Sequence, residues 1–154
     1  MITDALLAYF HFSAIFILFA FLTAEAMVLR NPLDGNAIRL ISRIDIWYFA
    51  SAMLVLASGL ARLFWGAKGA AFYTANPMFH AKVGLFIVVA ALSLPPTLQI
   101  LRWARQARQD GGFAAPEAER ARVRRLVMIE LHVASLLPLF AVMMARGIGF
   151  SFSE

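Results

Sequence analysis

Four long apolar runs, residues 5–29, 44–64, 78–103 and 126–145, are separated only by short polar stretches. Each is long enough to cross a bilayer, whose hydrocarbon core takes about 20 helical residues. Lipid offers no water to the backbone, so a run of this kind satisfies its N–H and C=O groups internally, as a helix. The predicted fold is all-α: an integral membrane four-helix bundle, made by a single four-span domain that uses the whole of residues 1–154. Composition agrees, with 62% hydrophobic and 15% charged residues, against roughly 45–50% and 25% in soluble domains. A soluble enzyme is excluded. The loops leave no room for a separate catalytic module, so any chemistry sits between the helices.

Breaks in the apolar pattern give the connections. The stretch Asn31-Pro32-Leu33-Asp34-Gly35-Asn36 is dense in turn formers, which ends the first helix and starts a second near Asn36. Asn76-Pro77 reads as a polar cap followed by proline in the first turn of the third helix. Pro95-Pro96 lies inside that helix and predicts a kink. Asp110-Gly111-Gly112 stops it, and Pro116-Glu117 opens a basic lead-in to the fourth span. A secretory signal is the rival reading of the first run. Its opening Met1-Ile2-Thr3-Asp4 lacks positive charge, and the run is too long for that purpose.

The 14 basic residues are unevenly placed. Arg30, Arg39 and Arg43 lie between spans one and two, and Arg102, Arg105, Arg108, Arg120, Arg122, Arg124 and Arg125 between spans three and four. Arg62, Lys68 and Arg146 belong to the other side, with Lys82 just inside span three. The positive-inside rule then puts both termini outside and the arginine-rich loops in the cytoplasm, as in a multi-pass protein of a bacterial inner membrane. The arginines read as a topology signal lying against anionic headgroups; no nucleic-acid partner is expected, and the lipid bilayer is the main one.

Ionisable groups inside membrane helices are costly and mark candidate sites. Here they are His11, Glu25, Asp45, Lys82, Glu130 and His132, with His80 near a boundary. Counting about 1.5 Å per residue, His11 lies about 9 Å below the outer surface and His80 a few Å below it, a depth at which the two can share a ligand. Gly84, one turn beyond His80, and Ser58-Gly59 of span two thin the wall beside them. Glu25 follows His11 by about four turns and faces the same way, roughly 21 Å deeper. Glu130 and His132, like His80 and Lys82, differ by about 200° and diverge. His132 is a candidate for a proton relay with Glu25 or Glu130, for a second cofactor, or for a polar contact between helices.

The chain has no Cys and three His, so a metal or cofactor has to be held by His, Met, Lys or carboxylates. Haem b on axial imidazoles suits this set, with His11 and His80 as ligands and Arg62 and Lys68 placed for propionates. Copper is the competing metal, since Met78 adjoins His80. Alternatively the histidines join helices in a cofactor-free accessory subunit. A redox partner or quinone is expected if the chain carries electrons, and the small residues of span two permit a homodimer.

The opening Leu6-Leu7-Ala8-Tyr9-Phe10-His11, Ser58-Gly59-Leu60, and Phe79-His80-Ala81-Lys82-Val83-Gly84-Leu85 resemble the HemJ-type protoporphyrinogen oxidases and the related CopD-like membrane proteins. Over nearly its whole length the chain resembles an uncharacterised bacterial family of short four-span membrane proteins, a domain of unknown function. That family shares the same start, the Phe-His-x-Lys of span three and the Glu-Leu-His of span four. The HemJ resemblance covers spans one to three and implies a haem-dependent oxidoreductase in which His11, His80 and Lys82 are essential. The first helix departs from it, lacking the Trp, Gly and Pro-Arg pattern after the histidine, and Glu130 and His132 are additions.

Overall fold

The first apolar run forms one uninterrupted helix, α1 (Ile2–Val28), because nothing within it breaks the backbone ladder. The computed structural model describes residues 2–66, 71 and 74–146. Helix α2 (Gly35–Trp65) starts at Asp34, whose carboxylate accepts from the Asn36 and Ala37 amides at 3.0 and 2.8 Å. Helix α3 (Pro77–Gln109) is capped as its sequence predicts, with Asn76 accepting from the Met78 amide at 2.8 Å and Pro77 in the first turn. It runs through Pro95 and Pro96 without interruption.

The fourth span runs as one stretch, Glu117–Met144, as expected, but its helix is interrupted for one residue at Ser135, giving α4 (Glu117–Ala134) and α5 (Leu136–Ala145). The cause is Pro138. It lacks the N–H that would bond to the Ala134 carbonyl, and its ring crowds that carbonyl. The Ser135 hydroxyl meanwhile donates to the His132 carbonyl at 2.6 Å, a local bond that bends a helix.

Neighbouring spans pack in a ring, α1 on α2, α2 on α3, α3 on α4 and α5, and α4 back on α1. All four spans are long and apolar enough to cross a membrane. Their outer surface fits that setting, since Phe16, Ile46, Phe49, Leu54, Ile87 and Leu98 are all exposed. At 31 and 33 residues, α2 and α3 are about 46 and 50 Å long at 1.5 Å per residue, well beyond a core of about 30 Å. The surplus projects at the arginine-rich end. Water is present there, so apolar burial regains its driving force, and Leu29, Leu33, Ile38, Ile41, Ile100 and Trp103 are all at most 1% exposed. Polar ties reinforce this end. The Trp103 indole and the Gln99 amide both donate to one Glu119 oxygen, at 2.9 and 2.8 Å. Arg120 donates to the Leu29 and Arg30 carbonyls, closing the exposed end of α1. Toward the opposite end the core thins to Ala14, Leu18, Val55 and Val89.

Candidate functional site

Where the core thins, the helices enclose a cavity of about 760 Å³. Its walls are apolar, supplied mainly by Phe12, Phe16 and Phe19 of α1, Phe86 of α3, and Leu137 and Pro138 of α5. Polar groups enter at two levels. Asp4, His11, Arg62 and Lys82 lie toward the end away from the arginine-rich loops, and Tyr48 and Ser93 lie deeper.

His11 is 3% exposed. Its Nδ1 is 2.9 Å from the Ser58 hydroxyl. That hydroxyl has a single hydrogen, which it donates to the Leu54 carbonyl at 2.6 Å, with Val55 as a longer second acceptor. Ser58 is therefore the acceptor for His11, which assigns the ring proton to Nδ1 and leaves the lone pair on Nε2. Gly59 makes room for the ring: a Cβ there would stand 3.3 Å from His11 Cε1. The thin wall expected at Ser58-Gly59 thus serves the imidazole directly.

The histidine pair expected from shared depth and from the HemJ resemblance is not brought together on the cavity wall. His80 is exposed and absent from the cavity wall, with its Nε2 2.8 Å from the Thr74 carbonyl. Two residues on, a rotation of about 200° brings Lys82 to the cavity in its place. Gly84 is likewise exposed and absent from the cavity wall, and among the described residues no neighbouring backbone packs on it. Lys68 lies outside the described residues.

Arg62 does reach the site. Its guanidinium sits 5.7 Å over the Phe12 ring, and its buried Nε has no hydrogen-bond partner among the described residues. Arg62 and Lys82 are electrostatic neighbours of His11 and of each other. Among the described residues neither forms an ion pair with a carboxylate. The cavity therefore has apolar walls and a charged rim on which two cations outnumber one acid, Asp4, with one imidazole lone pair beside it.

A second polar cluster lies deeper. Glu25, Asp45 and Glu130, from α1, α2 and α4, are at most 3% exposed and are electrostatic neighbours. Tyr48, which lines the cavity, donates its hydroxyl to Glu130 Oε1. Thr97 donates to Asp45 at 2.8 Å. His132 takes no part. It is exposed, and its Nδ1 bonds within its own helix to the Met128 carbonyl at 2.6 Å. Glu25 and His11 do share the buried face of α1, as their spacing predicts.

Sequence reasoning missed Tyr48 as the link between the two clusters, although a signal was present. Asp45, Tyr48, Ser51, Val55, Ser58 and Arg62 recur at intervals of three and four, which places them in one stripe along α2. The first four are buried and the last two half-buried. The described residues hold no group of three or more His, Cys, Asp or Glu suited to a metal ion.

No curated protein and no solved structure matches the chain. A family model described as "Predicted membrane protein (DUF2214)" matches residues 3–149, and the chain belongs to that family.

Proposed function

We propose that the cavity binds haem b, or a closely similar tetrapyrrole carrying carboxylates, in a bacterial inner membrane with the arginine-rich loops in the cytoplasm. The reading rests on one observation: the oriented His11 imidazole stands beside an apolar cavity whose rim carries two cations, neither of them ion-paired with a carboxylate among the described residues. A volume of about 760 Å³ is in the range of small-molecule and cofactor sites. His11 Nε2 would hold the haem iron, and Arg62 and Lys82 would hold the carboxylates. A quinone suits the apolar walls equally well, but as a neutral molecule it would offer Arg62 and Lys82 no charged partner.

When bound, haem supplies one-electron and oxygen chemistry. His80 does not face His11, so the described histidines offer one ligand rather than two. That favours oxidation of a small molecule over electron transfer alone. Tyr48 and Glu130 give protons exchanged in the cavity a route toward Glu25 and Asp45, the kind of acidic chain that carries protons in membrane proteins.

The test is the visible spectrum of protein purified in mild detergent after haem-replete expression. A Soret band and a pyridine haemochrome are expected, lost in His11→Ala and kept in His80→Ala. Absence of both signals overturns the reading, and stoichiometric copper without haem replaces it with copper handling.

A further inference from the structure

We propose that the cavity is filled sideways from the bilayer, through a seam between α1 and α5 in the leaflet away from the arginine-rich end. The ligand would be an amphiphilic acid dissolved in the membrane; its class rests on the haem reading, but its route does not.

Three observations converge. First, the ring of helices is closed between α1 and α4 but not beyond Ser135: among the described residues no Cα of α5 comes within 8 Å of one in α1. Elsewhere in that half of the molecule, α1 still packs on α2 and α5 on α3. Second, the separation has a covalent cause, because Pro138 interrupts the backbone ladder where the two helices part. Third, the same side chains face both the cavity and the lipid. Phe12 and Phe16 of α1 and Val142 of α5 line the cavity, yet they are 49%, 74% and 57% exposed.

The chemistry of the route follows. The edges of the seam are hydrocarbon and aromatic, so an aqueous solute gains nothing by passing between them, while a molecule already in the acyl layer loses no hydration. Arg62 and Lys82 line the same cavity. An acid entering head first would exchange an interfacial position for two cations in a medium where their attraction is stronger than in water. Exposed residues also line the cavity on the far side, Phe49 and Met53 of α2 and Ile87 of α3. Those two helices do approach within 8 Å of each other, as α1 and α5 do not among the described residues, which makes that side the control.

The test uses the full chain in lipid vesicles, where the absence of native Cys permits a single Ala52→Cys label in the cavity wall. A nitroxide at that position should collide readily with oxygen, which concentrates in lipid, and poorly with a water-soluble nickel chelate. Ala141→Trp, which plugs the α5 edge, should lower the oxygen collision rate several-fold, and Ala90→Trp on the α3 edge should leave it unchanged. Val142→Trp repeats the plug if Ala141→Trp does not fold. Dominant access by the nickel chelate, poor access by both agents, or loss of oxygen access in Ala90→Trp alone would overturn the route. Uptake of haem b from preloaded vesicles should slow in the same plugged variants. If no variant takes up haem while the collision pattern holds, the haem reading fails and the route stands.

Discussion

His11 and Ser58 form a directional pair: Nδ1 lies 2.9 Å from a hydroxyl whose only hydrogen is already given to the Leu54 carbonyl. The bond fixes both the tautomer and the angle of the ring, as second partners of metal-binding histidines do. Ser58→Ala should therefore weaken haem binding about 10-fold or more. Thermal unfolding in detergent should change little, since a hydrogen bond between membrane helices contributes about 0.6 kcal/mol. Haem titration and melting of the same sample separate the two effects, and equal loss in both would assign the pair to stability alone.

Gly59→Ala tests the same ring from its other side. The added methyl would stand 3.3 Å from Cε1, so the imidazole has to give by a few tenths of an ångström. Because Ser58 holds Nδ1, the expected response is a rotated ring, seen as a shifted Soret band or altered electron-spin resonance. Gly84→Ala, which meets nothing within 4 Å, should leave the spectrum unchanged.

The cationic rim should discriminate by ligand charge. Arg62→Gln and Lys82→Gln each remove one charge facing the carboxylates, and each should cost about 1.5–3 kcal/mol of haem affinity, the worth of a charged hydrogen bond. Binding of an uncharged tetrapyrrole ester should hardly change, and Lys82→Arg should retain most of the affinity for the acid. Equal losses for acid and ester would make these residues part of the packing instead.

The fold was legible because lipid imposes it: apolar length dictates helix, and Asp34, Asn76-Pro77 and Pro116 mark helix starts by local chemistry. The break at Ser135 was less visible, because a proline inside an apolar run signals a kink or a division with equal force, and Pro95-Pro96 does not divide α3. At the site, depth was readable and azimuth only partly so. His11 and Glu25 share a face by spacing within one helix, whereas pairing His11 with His80 required the rotation of α3 about its own axis, which packing determines. The 200° relation did show that His80 and Lys82 diverge, but it did not show which of them faces inward.

Tyr48 and Glu130 should be energetically coupled. Tyr48→Phe leaves a buried carboxyl without its phenol donor, and Glu130→Leu leaves the phenol without its acceptor, each costing about 0.6–1.7 kcal/mol. In the double variant both polar groups are gone, so the penalties should not add, and a double-mutant cycle in detergent should show coupling of about 0.5–2 kcal/mol. If the two link the cavity to Glu25 and Asp45, Tyr48→Phe should also slow turnover while haem affinity is preserved. Additive stability losses would remove the bond, and unchanged turnover would remove the proton route.

Substitutions at the arginine-rich end should separate folding from ligand binding. Arg120 satisfies the last carbonyls of α1, and Glu119 holds both Trp103 and Gln99, all far along the bundle from His11. Glu119→Leu would orphan the buried Trp103 indole and Arg120→Ala the α1 carbonyls, so each should lower unfolding stability by about 1–3 kcal/mol. Sites this far apart with no shared partners behave additively, so neither variant should change the haem spectrum or the nitroxide collision pattern at Ala52→Cys. A spectral change in either would mean that the arginine-rich end and the cavity move together, and that haem affinity depends on how firmly α4 is held against α1.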